Sequence, residues 1–285
     1  MGKRKAFVSL ASVCLAASLR AGASDLGPAG RLIQAAKAGN LEAVVEAVEG
    51  GAKIDAKDSK GDSAILEAAA HGQNRIVEWL LTHGAQADVE NRYWTTPLIA
   101  AAAGGYTDIA RLLIKSHANV NSRNKSRMNA LMLAAVRGDA DMVGILLRNK
   151  ADANMRKPDG MTALMFAVSG SHQKAAEALL THGARVDAKT AAGVTALMWA
   201  ATKGDADMLR LLANHGADVN ARGPGDSTAL MMAAAKGRRE AVAFLLAHGA
   251  DSALQSSGGD TALSLARKYY RSDIIALLAP AGPSR

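Results

Sequence analysis

One period constrains this chain more than any other feature. Leu or Ile recurs every 33 residues, at Leu32, Ile65, Leu98, Leu131, Leu164, Leu197, Leu230 and Leu263, with no insertion or deletion. A fixed period of a few tens of residues marks a stack of supersecondary units, each unable to bury its apolar face alone. Three more columns keep the same step. One reads Gly39, Gly72, Gly105, Gly138, Ser171, Gly204, Gly237 and Tyr270. Another reads Ala52, Ala85, Ala118, Ala151, Ala184, Ala217 and Ala250. The last reads Asp55, Asp88, Asn121, Asn154, Asp187 and Asn220. Eight units fill residues 29–279, after a short linker over 24–28 and before a tail over 280–285.

The unit from Ala192 to Ala221 shows what each contains. Thr195 is placed to cap a helix through Leu197, Ala200 and Ala201, because its hydroxyl accepts an orphan backbone N–H. Gly204 ends that helix in the left-handed conformation that glycine adopts freely. Met208, Leu211 and Leu212 then fall on one face of a second helix. His215-Gly216 closes it, and Ala217-Asp218-Val219-Asn220 leads through a turn-prone stretch to the next cap. Hydrophobic residues make up 49% of the chain and aromatics 4%, so the core is built from Ala, Leu, Val, Ile and Met. That composition suits close-packed helices better than a β-sandwich.

Gly193-Val194-Thr195-Ala196-Leu197, followed by Leu211-Leu212-Ala213-Asn214-His215-Gly216-Ala217-Asp218-Val219-Asn220, resembles the ankyrin repeat. The resemblance covers nearly all of the chain beyond its first residues. It implies an all-α solenoid of helix-turn-helix units with projecting β-hairpin loops. It also implies protein binding on the concave face made by those hairpins and the first helices. The sequence departs from the family where His usually follows the Leu of the cap motif. Met132, Met165, Met198 and Met231 stand there, which replaces a polar network with apolar packing; a core role is expected, since Met fills irregular gaps.

The N-terminus reads as an export signal. Lys3, Arg4 and Lys5 precede an uncharged run from Ala6 to Leu19, and Ala21-Gly22-Ala23 offers a small-x-small cut site. Cleavage after Ala23 would place the protein in a periplasm or outside the cell, with no stable membrane insertion. Cys14 is the only cysteine, so the cleaved chain would have no disulfide, thiolate nucleophile or Cys-based zinc site. Four of the basic residues behind the net charge of +8 belong to this segment. The remaining excess is too mild to imply nucleic acid, and aromatics are not interleaved with the basic residues as a nucleic-acid surface would need.

No enzyme motif stands out, and neither catalysis nor a cofactor is expected. Ser63, in Gly61-Asp62-Ser63-Ala64, shares the column of Thr96, Thr162, Thr195 and Thr228, which is a capping position. Asp139, Asp141, Asp205 and Asp207 open second helices, where acids suit the helix dipole. His83, His182, His215 and His248 form a column. Ligands that share one zinc sit about 2 Å from it, whereas repeats stack at about 8–10 Å. A helix-terminal role is therefore expected for these histidines.

Binding residues are those the repeat leaves unexplained. Trp94, flanked by Arg92 and Tyr93, takes a turn position where Gly61, Gly160 and Gly193 stand. Trp, Tyr and Arg dominate binding hot spots. Lys125, Arg127 and Met128 lie on the next hairpin, Arg156 and Lys157 on the one after, and Arg137, Lys203 and Lys236 at first-helix ends. Trp79 and Trp199 fall in apolar columns and are expected in the core. The reading is a monomeric, non-enzymatic module that acts outside the cytoplasm and binds a protein with an acidic surface. An inhibitor or immunity-type protein that blocks an exported enzyme, or a chaperone-like envelope scaffold, is the alternative.

Overall fold

The computed structural model describes residues 27–279. The expected signal over 1–23, most of the linker, and the tail over 280–285 lie outside the described residues. The chain divides into two compact units, with the boundary between Ala118 and Asn119. The first unit holds α1 (Pro28–Ala38), α2 (Leu41–Glu49), α3 (Ala64–Ala70), α4 (Asn74–Thr82), α5 (Pro97–Gly104) and α6 (Thr107–Lys115). The second holds α7 (Ala130–Arg137), α8 (Ala140–Arg148), α9 (Ala163–Ser169), α10 (Gln173–Thr181), α11 (Ala196–Lys203), α12 (Ala206–Asn214), α13 (Ala229–Lys236), α14 (Arg239–Ala247), α15 (Ala262–Lys268) and α16 (Ser272–Leu278). Within each unit the odd-numbered first helices pack side by side, as do the even-numbered second helices. The expected all-α stack of helix pairs is what each unit forms.

Every first helix after α1 is fixed at both ends by local chemistry. The side chains of Ser63, Thr96, Asn129, Thr162, Thr195, Thr228 and Thr261 each accept the backbone N–H three residues on. At the other end two backbone bonds close the helix, as in Gly204 N–H to Ala201 O and Asp205 N–H to Ala200 O. This closure holds its middle residue left-handed, which accounts for the glycine column. Ser171 at φ 57° and Tyr270 at φ 56° take the same conformation without being glycine.

The second helices α4, α8, α10 and α14 end on a side chain. Nδ1 of His83, His182 and His248 lies 2.7–2.8 Å from the carbonyl four residues back. Asn149 donates to Ile145 in the same way. The histidine column thus has the helix-terminal place expected of it, with Trp79 stacked on His83 and Phe244 on His248.

The core is the set of columns read as apolar. Leu131, Leu164, Leu197 and Leu230 are each 1% exposed, and Met132, Met165, Met198 and Met231 no more. Burying a Met side chain is worth about 1.5–3 kcal/mol, so this stripe contributes to the stack without the hydrogen bonds that His would bring. Trp79 and Trp199 depart from expectation: both are only partly buried. Trp79 lies along α4 against His83, and Trp199 lies on the outer side of α11.

The Asp and Asn column stitches repeats together. Asn154 Oδ1 accepts from Arg185 N–H while its Nδ2 donates to Gly183 O, and Asn121 and Asn220 make the equivalent pairs. Asp55 and Asp187 accept only the first of these bonds, because a carboxylate has no N–H to give. The expected hairpins are tight turns rather than strands; among the described residues the only isolated bridge is Lys57 to Ser63.

Candidate functional site

Each hairpin, or finger, is a five-residue loop closed by two backbone bonds. In the first unit Trp94 N–H donates to Asn91 O and Asn91 N–H to Thr95 O. The Asn91 side chain reinforces the loop by accepting from Tyr93 and Thr95. Such loops place their fourth residue in the left-handed region. Gly61, Gly160, Gly193 and Gly259 accordingly have φ of 79–84°. Trp94 at φ 58°, Arg127 at φ 60° and Asp226 at φ 56° take that conformation with a Cβ.

At two places glycine is required by the neighbouring finger as well. Arg92 N–H donates to Lys60 O, and Ala191 N–H to Asp159 O. A Cβ on Gly61 would come 2.9 Å from Arg92 N, and one on Gly160 2.7 Å from Ala191 N. Pro158 and Pro224 take the position of Ala191 in their fingers and have no N–H to donate. A Cβ on Gly193, whose neighbouring finger carries Pro224, would meet nothing closer than 3.5 Å. The finger ladder is therefore interrupted by proline.

The candidate residues fall into separate groups. Arg92, Tyr93 and Trp94 share one finger of the first unit and all are exposed, Tyr93 at 62% and Trp94 at 45%. Trp94 is thus not folded away over its neighbours. Lys125, Arg127 and Met128 share a finger of the second unit, with Lys125 and Arg127 exposed and Met128 partly buried. Arg137, Lys203 and Lys236 are exposed at the C-terminal ends of α7, α11 and α13.

Part of the basic character is used inside the stack. Arg156, Lys189 and Arg222 each donate to a backbone carbonyl of the following finger. Lys203 Nζ reaches Ser169 O at 2.7 Å. Lys157 pairs with Asp159 at 3.0 Å and lies 5.7 Å from the centre of the Phe166 ring. The Met161 N–H, aided by Lys157, holds the Asp159 carboxyl below its ordinary pKa.

Residues weighed for chemistry have structural partners. Ser63 is fully buried and its hydroxyl oxygen caps α3. Asp139 and Asp205 cap α8 and α12 by accepting from Met142 and Met208. Among the described residues no group of three or more His, Cys, Asp or Glu side chains is placed to hold a metal ion.

The single-sequence reading missed a row of outward side chains on the first helices. In the second unit Leu133, Phe166, Trp199, Met232 and Leu265 share one column and all are partly exposed, on helices whose neighbouring positions are mostly buried. The signal was in the column itself. Buried columns repeat one residue type, whereas this one runs Glu67, Ala100, Leu133, Phe166, Trp199, Met232, Leu265, the variety of a surface.

Comparison with known families agrees with the geometry. One model of ankyrin repeats (3 copies) matches residues 32–124 and 131–223. A second, of ankyrin repeats (many copies), matches residues 212–266. No curated protein matches the chain. The repeat is thus visible independently in the period, in the inter-repeat hydrogen bonds and in these matches: the chain belongs to the ankyrin repeat family, whose members are generally protein–protein interaction scaffolds rather than catalysts.

Proposed function

We propose that this chain is a non-enzymatic module that binds a protein partner outside the cytoplasm, through its fingers and the outward faces of its first helices. The observation that carries the reading is Trp94 and Arg127, two of the three exposed finger residues that hold a left-handed backbone with a Cβ, Asp226 being the third. A left-handed backbone costs a residue with a Cβ about 1–2 kcal/mol, and such strain clusters at functional positions. Trp94 is exposed where glycine would relieve that strain, with Tyr93 and Arg92 beside it. These are the residue types that anchor interfaces. Arg127 repeats the arrangement in the second unit with a cation, which favours a partner with acidic surface by raising its association rate and specificity. Action outside the cytoplasm rests on the signal-like residues 1–23 alone.

In-cell crosslinking of the tagged full-length chain, read by mass spectrometry beside a Trp94→Ala, Arg127→Glu control, tests this. A dominant extracytoplasmic partner that disappears in the control is the expected result. The same partner retained in the control would overturn the finger assignment. A cytoplasmic partner would overturn the location.

A further inference from the structure

The outward row differs between the two units. Its positions hold Glu67 and Ala100 in the first, with Glu67 3.3 Å from Lys37 and 3.4 Å from His71. In the second the row is apolar from Leu133 to Leu265. One turn further along three of those helices, and so on the same face, stand Arg137, Lys203 and Lys236, all exposed, with Lys203 also donating to Ser169 O. On the finger side the row is extended by partly exposed Met128, Met161 and Val194. The second unit thus presents an apolar track with a basic margin.

The spacing selects what fits the track. Adjacent packed helices lie about 8–10 Å apart, so the row offers one apolar contact per about 8–10 Å. A helix lying across it rises about 10.5 Å in seven residues and would bring one residue per heptad into register with each repeat. An extended strand repeats its face about every 6.6 Å and falls out of register after one step. The three steps from Leu133 to Met232 span up to about 30 Å, or up to about 20 residues of helix.

We infer that this track takes an amphipathic helix of the partner. An apolar residue at every seventh position lies against Leu133, Phe166, Trp199 and Met232, and carboxylates on the adjoining face lie toward Arg137, Lys203 and Lys236. The inference rests on the protein-binding reading and names the part of the partner that the second unit recognises. Charge complementarity carries the acidic margin, and the heptad spacing carries the helix.

The test is selection of a displayed library of helix-biased peptides, about 20 residues long, against the full-length chain. The strongest binder is then labelled and titrated by fluorescence anisotropy. Enriched sequences are expected to carry apolar residues at three or more consecutive heptad positions with Asp or Glu beside them. Binding should weaken about tenfold or more in Phe166→Glu and in Met232→Glu, and several-fold in Lys236→Glu. Each variant should keep the wild-type thermal melt; in Phe166→Glu the new carboxylate meets Lys157. Enrichment of peptides without the heptad or with basic margins, no enrichment at all, or affinity unchanged in both row variants would overturn the inference. Binding lost in Trp94→Ala but kept in the row variants would overturn it while leaving the finger reading intact, and the crosslinking experiment decides that reading separately. Trp199-dependent sedimentation with phosphatidylglycerol vesicles in place of peptide binding would overturn it in favour of lipid.

Discussion

Trp94 and Arg127 occupy positions where the backbone asks for glycine, and this makes stability and binding separable. Trp94→Gly removes the left-handed strain and leaves the loop's backbone bonds in place. Its expected effect is a gain of about 1 kcal/mol in chemical denaturation, together with loss of the crosslinked partner. Equal or lower stability would mean that the indole makes folded-state contacts worth more than the strain. Sequence made this position legible because the equivalent glycines, Gly61, Gly160 and Gly193 among them, define what the turn requires. It did not make Trp79 or Trp199 legible. Membership of an apolar column says which residues are equivalent, not how completely the next repeat covers them. Covering depends on side chains about one repeat away: Leu197 is 1% exposed while Trp199, two residues on, is only partly covered.

At the scale of the element, each helix pair depends on two side chains that work differently. Thr195 is fully buried and its hydroxyl satisfies the Met198 N–H. Thr195→Val keeps the shape and orphans that donor, so a loss of about 1–2 kcal/mol is expected by urea denaturation. Asn154 joins its repeat to the next through bonds of 2.8 and 2.9 Å. Asn154→Ala should cost about 1–3 kcal/mol and more than Asp187→Ala, because Asp187 makes one such bond at 3.0 Å. Asn154→Asp should fall between wild type and Asn154→Ala, since it keeps the acceptor and loses the donor. The Asp/Asn column was legible in sequence as a repeat marker, but its role in stitching was not. Bonds that span 29 and 31 residues leave no local pattern. The interruption of the finger ladder by Pro158 and Pro224 was hidden for the same reason: a proline reads as an ordinary turn residue until the carbonyl it fails to serve is seen in the preceding finger.

For the whole molecule, stability in a stacked array is a sum of repeat terms and nearest-neighbour interfaces, and the C-terminal pair has lost several of both. Ala253 stands in the stitching column, so the last rung is the one Asn220 makes to Gly249 and Asp251. Thr261 and Leu263 are only partly buried, where Thr228 and Leu230 are each 1% exposed. Tyr270 is left-handed at φ 56° and 91% exposed, so the α15 terminus carries strain without compensating burial. Local opening should therefore start there. In hydrogen exchange read by mass spectrometry, amides of α15 and α16 should exchange earliest in the second unit. Those of α9 to α12, with neighbours on both sides, should exchange last. Thr228→Val should then speed exchange in α13 to α16 while leaving α7 and α8 near wild type, because a weakened repeat passes its loss to its neighbours before the far end feels it. Uniform exchange across all ten helices, moved equally by Thr228→Val, would mean that the five repeats open as one cooperative block. The outward row from Leu133 to Met232 would then act as a single rigid ruler rather than one that frays toward Leu265.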